Sequence, residues 1–158
     1  MRSFLRGVVL FVGAMFLQWW WNTHLGYWGA APQLLLALTV LIAARVGPVM
    51  AMLAGFGWGL YLDVARAELF GASALTLTLA GYCAGLARRQ IDLRAPGPLA
   101  ATVFLLTLLG FLFQGCLGLA FTKSFDWSGW IAMTFTPVLN AVAVIAASIL
   151  WDAWGDRR

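Results

Sequence analysis

Asp63 is the residue whose type and position could most directly do chemistry. It lies at the end of a long apolar segment, with Arg66 one helical turn beyond it and Glu68 close by. Because an ionisable group costs free energy in or near a lipid bilayer, it usually has a specific role there. Asp63 could be a helix-end carboxylate paired with Arg66, an anchor that fixes the following loop, or a contact for a partner protein.

Small residues precede Asp63 at intervals of four. They are Gly47, Ala51, Gly55 and Gly59. Residues four apart lie along one ridge of an α-helix, and small side chains on that ridge let another helix come close within a membrane. The next apolar segment has the same spacing in Gly81 and Gly85. We therefore expect these two segments to pack closely as helices.

Two uncharged polar residues, Gln114 and Asn140, lie near the middle of long apolar segments. Lipid offers them no hydrogen bonds, so each must bond within the helix bundle or to a partner. Asn140 follows Pro137 by three residues, and a proline inside a helix frees a backbone carbonyl one turn earlier. We expect both side chains to join helices, with a buried ligand contact as the alternative.

Residues for catalysis are scarce. His24 is the only histidine, and it lies in a loop without an acidic or cysteine partner nearby. The two cysteines, Cys83 and Cys116, lie inside apolar segments, far from any metal-ligand spacing. The chain has no HExxH, GxSxG or phosphate-binding glycine loop. We expect no enzymatic activity, no metal site and no cofactor.

The composition is that of an integral membrane protein. Hydrophobic residues make up 63% of the 158 residues and charged residues 10%, whereas about a quarter of a soluble domain is charged. The formal net charge is +4, but the basic residues flank apolar segments and form no single patch. They therefore indicate membrane topology and not nucleic-acid binding. We expect one membrane domain over residues 1–158.

The apolar segments predict an all-α bundle of six transmembrane helices. The segments lie at about 4–21, 31–44, 48–62, 69–87, 99–121 and 130–151. The second and third are short for a crossing of the bilayer, so a re-entrant hairpin that fails to cross is an alternative.

The distribution of basic residues favours six crossings. With six crossings, eight arginines lie on one side of the membrane, and only Arg66 and Lys123 lie on the other. A re-entrant hairpin would leave Arg45 inside the bilayer, where it is costly. Because cytoplasmic loops are rich in basic residues, both termini are predicted to be cytoplasmic. Asp63 and several tryptophans, including Trp58, then fall at the outer interface, which disfavours a proton relay at Asp63 and predicts an aromatic anchoring belt.

Several motifs follow one another between Pro32 and Gly85. A leucine-rich segment leads to Arg45-Val46-Gly47-Pro48, then to Gly55-Phe56-x-x-Gly59-Leu60-x-x-Asp63, Gly71 and Gly81-Tyr82-x-x-Gly85. In this order and spacing they resemble the rod shape-determining protein MreD family. The motifs cover about a third of the chain, and its length and number of apolar segments fit the family throughout.

The resemblance implies a non-enzymatic scaffold of the bacterial cell-elongation machinery, in the cytoplasmic membrane. Such proteins bind MreC and help couple MreB filaments to peptidoglycan synthesis, with RodA and the elongation-specific penicillin-binding transpeptidase as indirect partners. The resemblance also assigns helix-packing or partner-binding roles to one set of residues. These are Gly47, Pro48, Ala51, Gly55, Phe56, Gly59, Asp63, Gly71, Gly81 and Gly85.

The main alternative is the substrate-binding membrane subunit of an energy-coupling-factor vitamin transporter, which is similar in size. Such a subunit would direct several polar side chains into an outward pocket. It would also commonly carry an Ala-x-x-x-Ala motif on its first helix, where this chain has Ala14 followed by Gln18.

Overall fold

The computed structural model describes residues 2–25, 33–66, 70–123 and 129–155. Within these ranges it contains only helices, six in number. They are α1 (Arg2–Leu25), α2 (Leu34–Arg45), α3 (Pro48–Arg66), α4 (Ala72–Ala87), α5 (Pro96–Thr122) and α6 (Trp130–Gly155). The all-helical class therefore agrees with the sequence. The expected starts of the second and fourth segments, at 31 and 69, lie outside the described residues, as do Pro32 and Glu68.

Three of the helices are long and apolar enough to cross a membrane. Their apolar stretches are Pro48–Ala65, Pro96–Phe121 and Trp130–Ala153. α3 is longer than expected, because it continues past Asp63 to Arg66 and so has 19 residues. At 1.5 Å per residue this is close to the thickness of the hydrocarbon core. α5 begins at Pro96, earlier than expected, since proline is tolerated in the first turn of a helix.

α2 is the centre of the bundle. It has only 12 residues, yet it contacts each of the five other helices. Eight of its residues are buried, and polar or charged groups are confined to Thr39 and the terminal Arg45. A helix that is apolar on every side lies either in a protein core or in lipid, and the buried residues of α2 place it in the core of the bundle. Its shortness is therefore accommodated because protein and not lipid covers it.

The turn between α2 and α3 is tight because Gly47 occupies a backbone conformation that favours glycine. Its φ is +140°, and the N–H groups of Val46 and Gly47 both donate to the carbonyl of Ile42, at 2.8 and 3.1 Å. Pro48 then begins α3, where it lacks only an N–H that the helix would not use. The Gly-Pro pair thus turns the chain sharply and sets α3 beside α2.

α1 is attached to the bundle through Trp58. This side chain is only 3% exposed, its indole N–H donates to the Phe11 carbonyl at 3.1 Å, and its ring stacks on Phe11 at a centroid distance of 5.1 Å. Trp58 therefore differs from the interfacial anchor expected of it, because its ring packs between helices. Trp19 and Trp20 do expose their rings, as residues of an anchoring belt would.

Candidate functional site

α3 and α4 run antiparallel with their backbones in contact along a series of small residues, which we call the small-residue ladder. Four contacts make up the ladder. Pro48 faces Gly85, Ala51 faces Gly81, Gly55 faces Leu77, and Gly59 faces Ala74. The positions on α3 repeat every three or four residues, so they form one continuous face.

The glycines of the ladder leave no room for a side chain. A Cβ added at Gly55 would lie 2.7 Å from the Leu77 carbonyl oxygen, and one at Gly81 would lie 2.9 Å from the Ala51 carbonyl carbon. A Cβ at Gly59 would overlap the backbone of Ala74. Because backbone atoms cannot move aside as a side-chain tip can, the close approach depends on glycine at these positions.

Asp63 extends the ladder by one more turn. Its carboxylate oxygen Oδ2 accepts the N–H groups of Gly71 at 2.9 Å and Ala74 at 3.1 Å, and Oδ1 accepts that of Ser73 at 2.9 Å. The residue is 5% exposed. A residue near the end of α3 therefore caps the beginning of α4, where the free N–H groups and the helix dipole both favour a negative charge.

Gly71 makes this cap possible. It occupies the residue before α4 with a φ of +96°, a left-handed conformation that favours glycine. Its N–H points to Asp63, and its carbonyl accepts the N–H of Leu75 at 2.9 Å. The loop-anchoring role considered for Asp63 matches this geometry. The Arg66 side chain lies outside the described residues, and a partner contact by Asp63 stays a prediction.

Phe56 and Gly47 lie apart from the ladder. Phe56 exposes about half of its surface and is not one of the ladder positions. Gly47 lies in the turn before α3, where a Cβ would be 3.7 Å from the Arg88 guanidinium. The motif residues thus divide into an internal packing face, a turn and one outward side chain.

Asn140 joins three parts of the bundle. It is 0% exposed, its side-chain oxygen accepts the backbone N–H of Gln33 at 2.7 Å, and its side-chain nitrogen donates to the Thr107 hydroxyl at 3.0 Å. Gln33 immediately precedes α2, so Asn140 satisfies a backbone donor that the helix itself leaves free. Asn140 therefore links α6, α5 and the start of α2. Gln114 takes no part in this network and lines a small cavity.

We predict that Asn140→Ala lowers the free energy of unfolding by about 2 kcal/mol, because it leaves the Gln33 N–H without an acceptor and the Thr107 hydroxyl oxygen without a donor. Thr107→Val removes one partner only. In a double-mutant cycle the two changes should couple by about 0.6 kcal/mol, the average for such pairs in membranes. Reversible unfolding in mixed micelles measures both values, and strictly additive effects would contradict the contact.

An ion pair between the ends of α2 and α6 had no signal in the sequence. Arg45 contacts Asp152 through its two terminal guanidinium nitrogens, at 2.7 and 2.8 Å. These residues are 107 positions apart, and neither belongs to a periodic pattern. The bidentate geometry fixes the end of α6 against the central helix.

Among the described residues, no group of three or more His, Cys, Asp or Glu side chains could hold a metal ion. The cavity lined by Gln114 has a volume of about 20 Å³, which is space for about one water molecule. A vitamin would need far more room, so this cavity gives the transporter alternative no support.

The helices define an all-α membrane protein, since three of them are suited to crossing a bilayer. A family model described as rod shape-determining protein MreD matches residues 1–152 of the chain. The chain therefore belongs to the MreD family, whose members are non-catalytic shape-determining components. This confirms the resemblance found in the sequence. Comparison with curated proteins and with solved structures finds no significant match.

Proposed function

We propose that this rod shape-determining membrane protein is a non-enzymatic scaffold of the cell-elongation machinery. It binds MreC and helps couple MreB filaments to peptidoglycan synthesis, with RodA and the elongation-specific transpeptidase as indirect partners. The observation that supports the proposal most is the family match over residues 1–152. The geometry is consistent with it, because the most tightly packed residues serve to hold helices together.

We further propose that six helices cross the bacterial inner membrane, with both termini in the cytoplasm. The grouping of basic residues supports this topology. Arg45 pairs with Asp152 near the end of α6, and Arg88 donates to the Ala43 carbonyl at the end of α2, at 3.3 Å. Arg89 and Arg94 follow in the same connection between α4 and α5. One end of the bundle thus collects positive charge, as the cytoplasmic end of a membrane protein does.

The packed pair of helices α3 and α4 provides a rigid surface for a membrane partner. Their inner faces form the ladder, and their outer faces expose apolar side chains such as Leu53 and Phe56 on α3 and Leu79 and Tyr82 on α4. In a bilayer, helices associate through complementary packing and not through exclusion of water. A partner with one transmembrane helix would therefore bind best to a surface whose shape does not change. The ladder holds the outer faces of α3 and α4 in such a fixed arrangement.

Recovery of partners from native membranes tests this function. We expect a tagged copy of the chain, expressed at its natural level in a rod-shaped host, to recover MreC as identified by mass spectrometry. Depletion of the protein should make the cells round. Cells that stay rod-shaped on depletion, with no MreC recovered above an untagged control, would contradict the proposal.

A further inference from the structure

A small cavity lies at the end of the bundle where α2 and α4 begin, and residues of α1, α3 and α5 also line it. Its volume is about 20 Å³. Five polar side chains line it. They are Gln18, Gln33, Ser73, Thr76 and Gln114. Polar side chains from three helices and the residue before α2 seldom converge in an apolar bundle without a reason, because lipid and hydrocarbon side chains cannot satisfy them.

Four of the five polar side chains in the lining, all but Gln18, have hydrogen-bonding capacity that the protein leaves unused. Thr76 donates its hydroxyl to the Ala72 carbonyl at 2.7 Å, which leaves the oxygen free to accept. Over the part of the chain that the structure describes, the side chains of Gln33, Ser73 and Gln114 have no hydrogen-bond partner. Amide and hydroxyl groups of this kind offer the cavity both donors and acceptors.

The lining also defines the chemical class of molecule that the cavity suits. None of the described side chains that line the cavity is ionisable, so the site suits a neutral molecule and not an ion. A polar cavity holds a water molecule when it offers at least 10–15 Å³ and two to four polar partners. The volume of about 20 Å³ meets that minimum for one water molecule.

We propose that the cavity binds one ordered water molecule, which bridges Gln33, Gln114 and Ser73. The water joins the start of α2, the start of α4 and α5 at a place where their side chains do not meet directly. It complements the direct link that Asn140 makes to the backbone of Gln33. This inference depends on no partner protein and holds whatever the chain assembles with.

Radiolytic footprinting of the full chain in lipid nanodiscs tests for the water. Hydroxyl radicals formed from a bound water oxidise the side chains beside it, even when bulk water cannot reach them. Leu36 lines the cavity and Leu41 does not, although both are on α2 and both are 1% exposed. We expect Leu36 to be oxidised several-fold faster than Leu41. Equally slow oxidation of the two leucines would overturn the proposal.

Gln114→Leu adds a second measurement, because it removes one polar partner and narrows the cavity. Oxidation of Leu36 should then fall to the rate of Leu41, while Gln90→Leu, at an exposed position, should leave it unchanged. Undiminished oxidation of Leu36 in a folded Gln114→Leu protein would contradict the bridging role. If that variant does not fold, the oxidation rates of Leu36 and Leu41 in the unaltered chain alone test the proposal.

Discussion

Gly59→Ala is expected to lower the free energy of unfolding by about 2 kcal/mol or more, although it adds only one methyl group. Overpacking of a full interior costs about 1–3 kcal/mol, and the new Cβ would overlap the backbone of Ala74, which has no freedom to move aside. The helices α3 and α4 must separate to admit it. This expected loss of unfolding free energy already includes the opposing effect of helix propensity, which favours alanine over glycine by about 1 kcal/mol.

The matched control is Gly13→Ala in α1. A Cβ at Gly13 has nothing within 4 Å, so only helix propensity acts and the change should be neutral or slightly stabilising. Thermal unfolding followed by tryptophan fluorescence compares the two variants, since the chain has nine tryptophans. If both substitutions shifted the midpoint by the same amount, the ladder would not be a site of backbone contact.

Asp63→Ala is expected to cost about 3 kcal/mol, because three backbone N–H groups lose a charged acceptor in a buried position. Asp63→Asn retains one acceptor oxygen, so its cost should be smaller, about 1–2 kcal/mol. Hydrogen exchange should locate the damage. The amides of Gly71, Ser73 and Ala74 are expected to lose protection in the alanine variant, while amides in the middle of α5 keep theirs.

Asp92 provides the control for this substitution. It too accepts a backbone N–H, that of Arg94 at 3.0 Å, but it is exposed in the connection between α4 and α5. Asp92→Ala should change the free energy of unfolding by less than about 0.5 kcal/mol, as exposed positions usually do. Equal losses of unfolding free energy in the Asp63→Ala and Asp92→Ala variants would mean that burial of the Asp63 cap does not contribute to stability.

Periodicity made part of this structure predictable. A spacing of four residues specifies one face of a helix whatever the partner is, so the stripe through Ala51, Gly55 and Gly59 marks the side of α3 that meets α4. The apolar segments likewise predict the helical class and the number of helices, because only helices satisfy their own backbone within lipid.

Other features depend on the three-dimensional arrangement and leave no pattern in the sequence. The partners of Asp63 are backbone N–H groups, which every residue other than proline carries, so nothing in the sequence distinguishes them. Trp58 has the residue type of an interfacial anchor, and only the position of Phe11 places its ring inside the bundle. Gln114 and Asn140 look alike in sequence, yet Gln114 lines a cavity whereas Asn140 forms hydrogen bonds through both its side-chain oxygen and its side-chain nitrogen.

The most direct test of the account is the rescue of cell shape by Gly59→Leu, with Gly13→Leu as control. Both changes make a helix more apolar, so both proteins should insert into the membrane equally well. In rod-shaped cells depleted of the native protein, we expect Gly13→Leu to restore rods and to recover MreC. Gly59→Leu should leave the cells round and recover little MreC. Rod-shaped cells and undiminished MreC recovery with inserted Gly59→Leu would contradict the central claim that close packing of α3 and α4 supports the function.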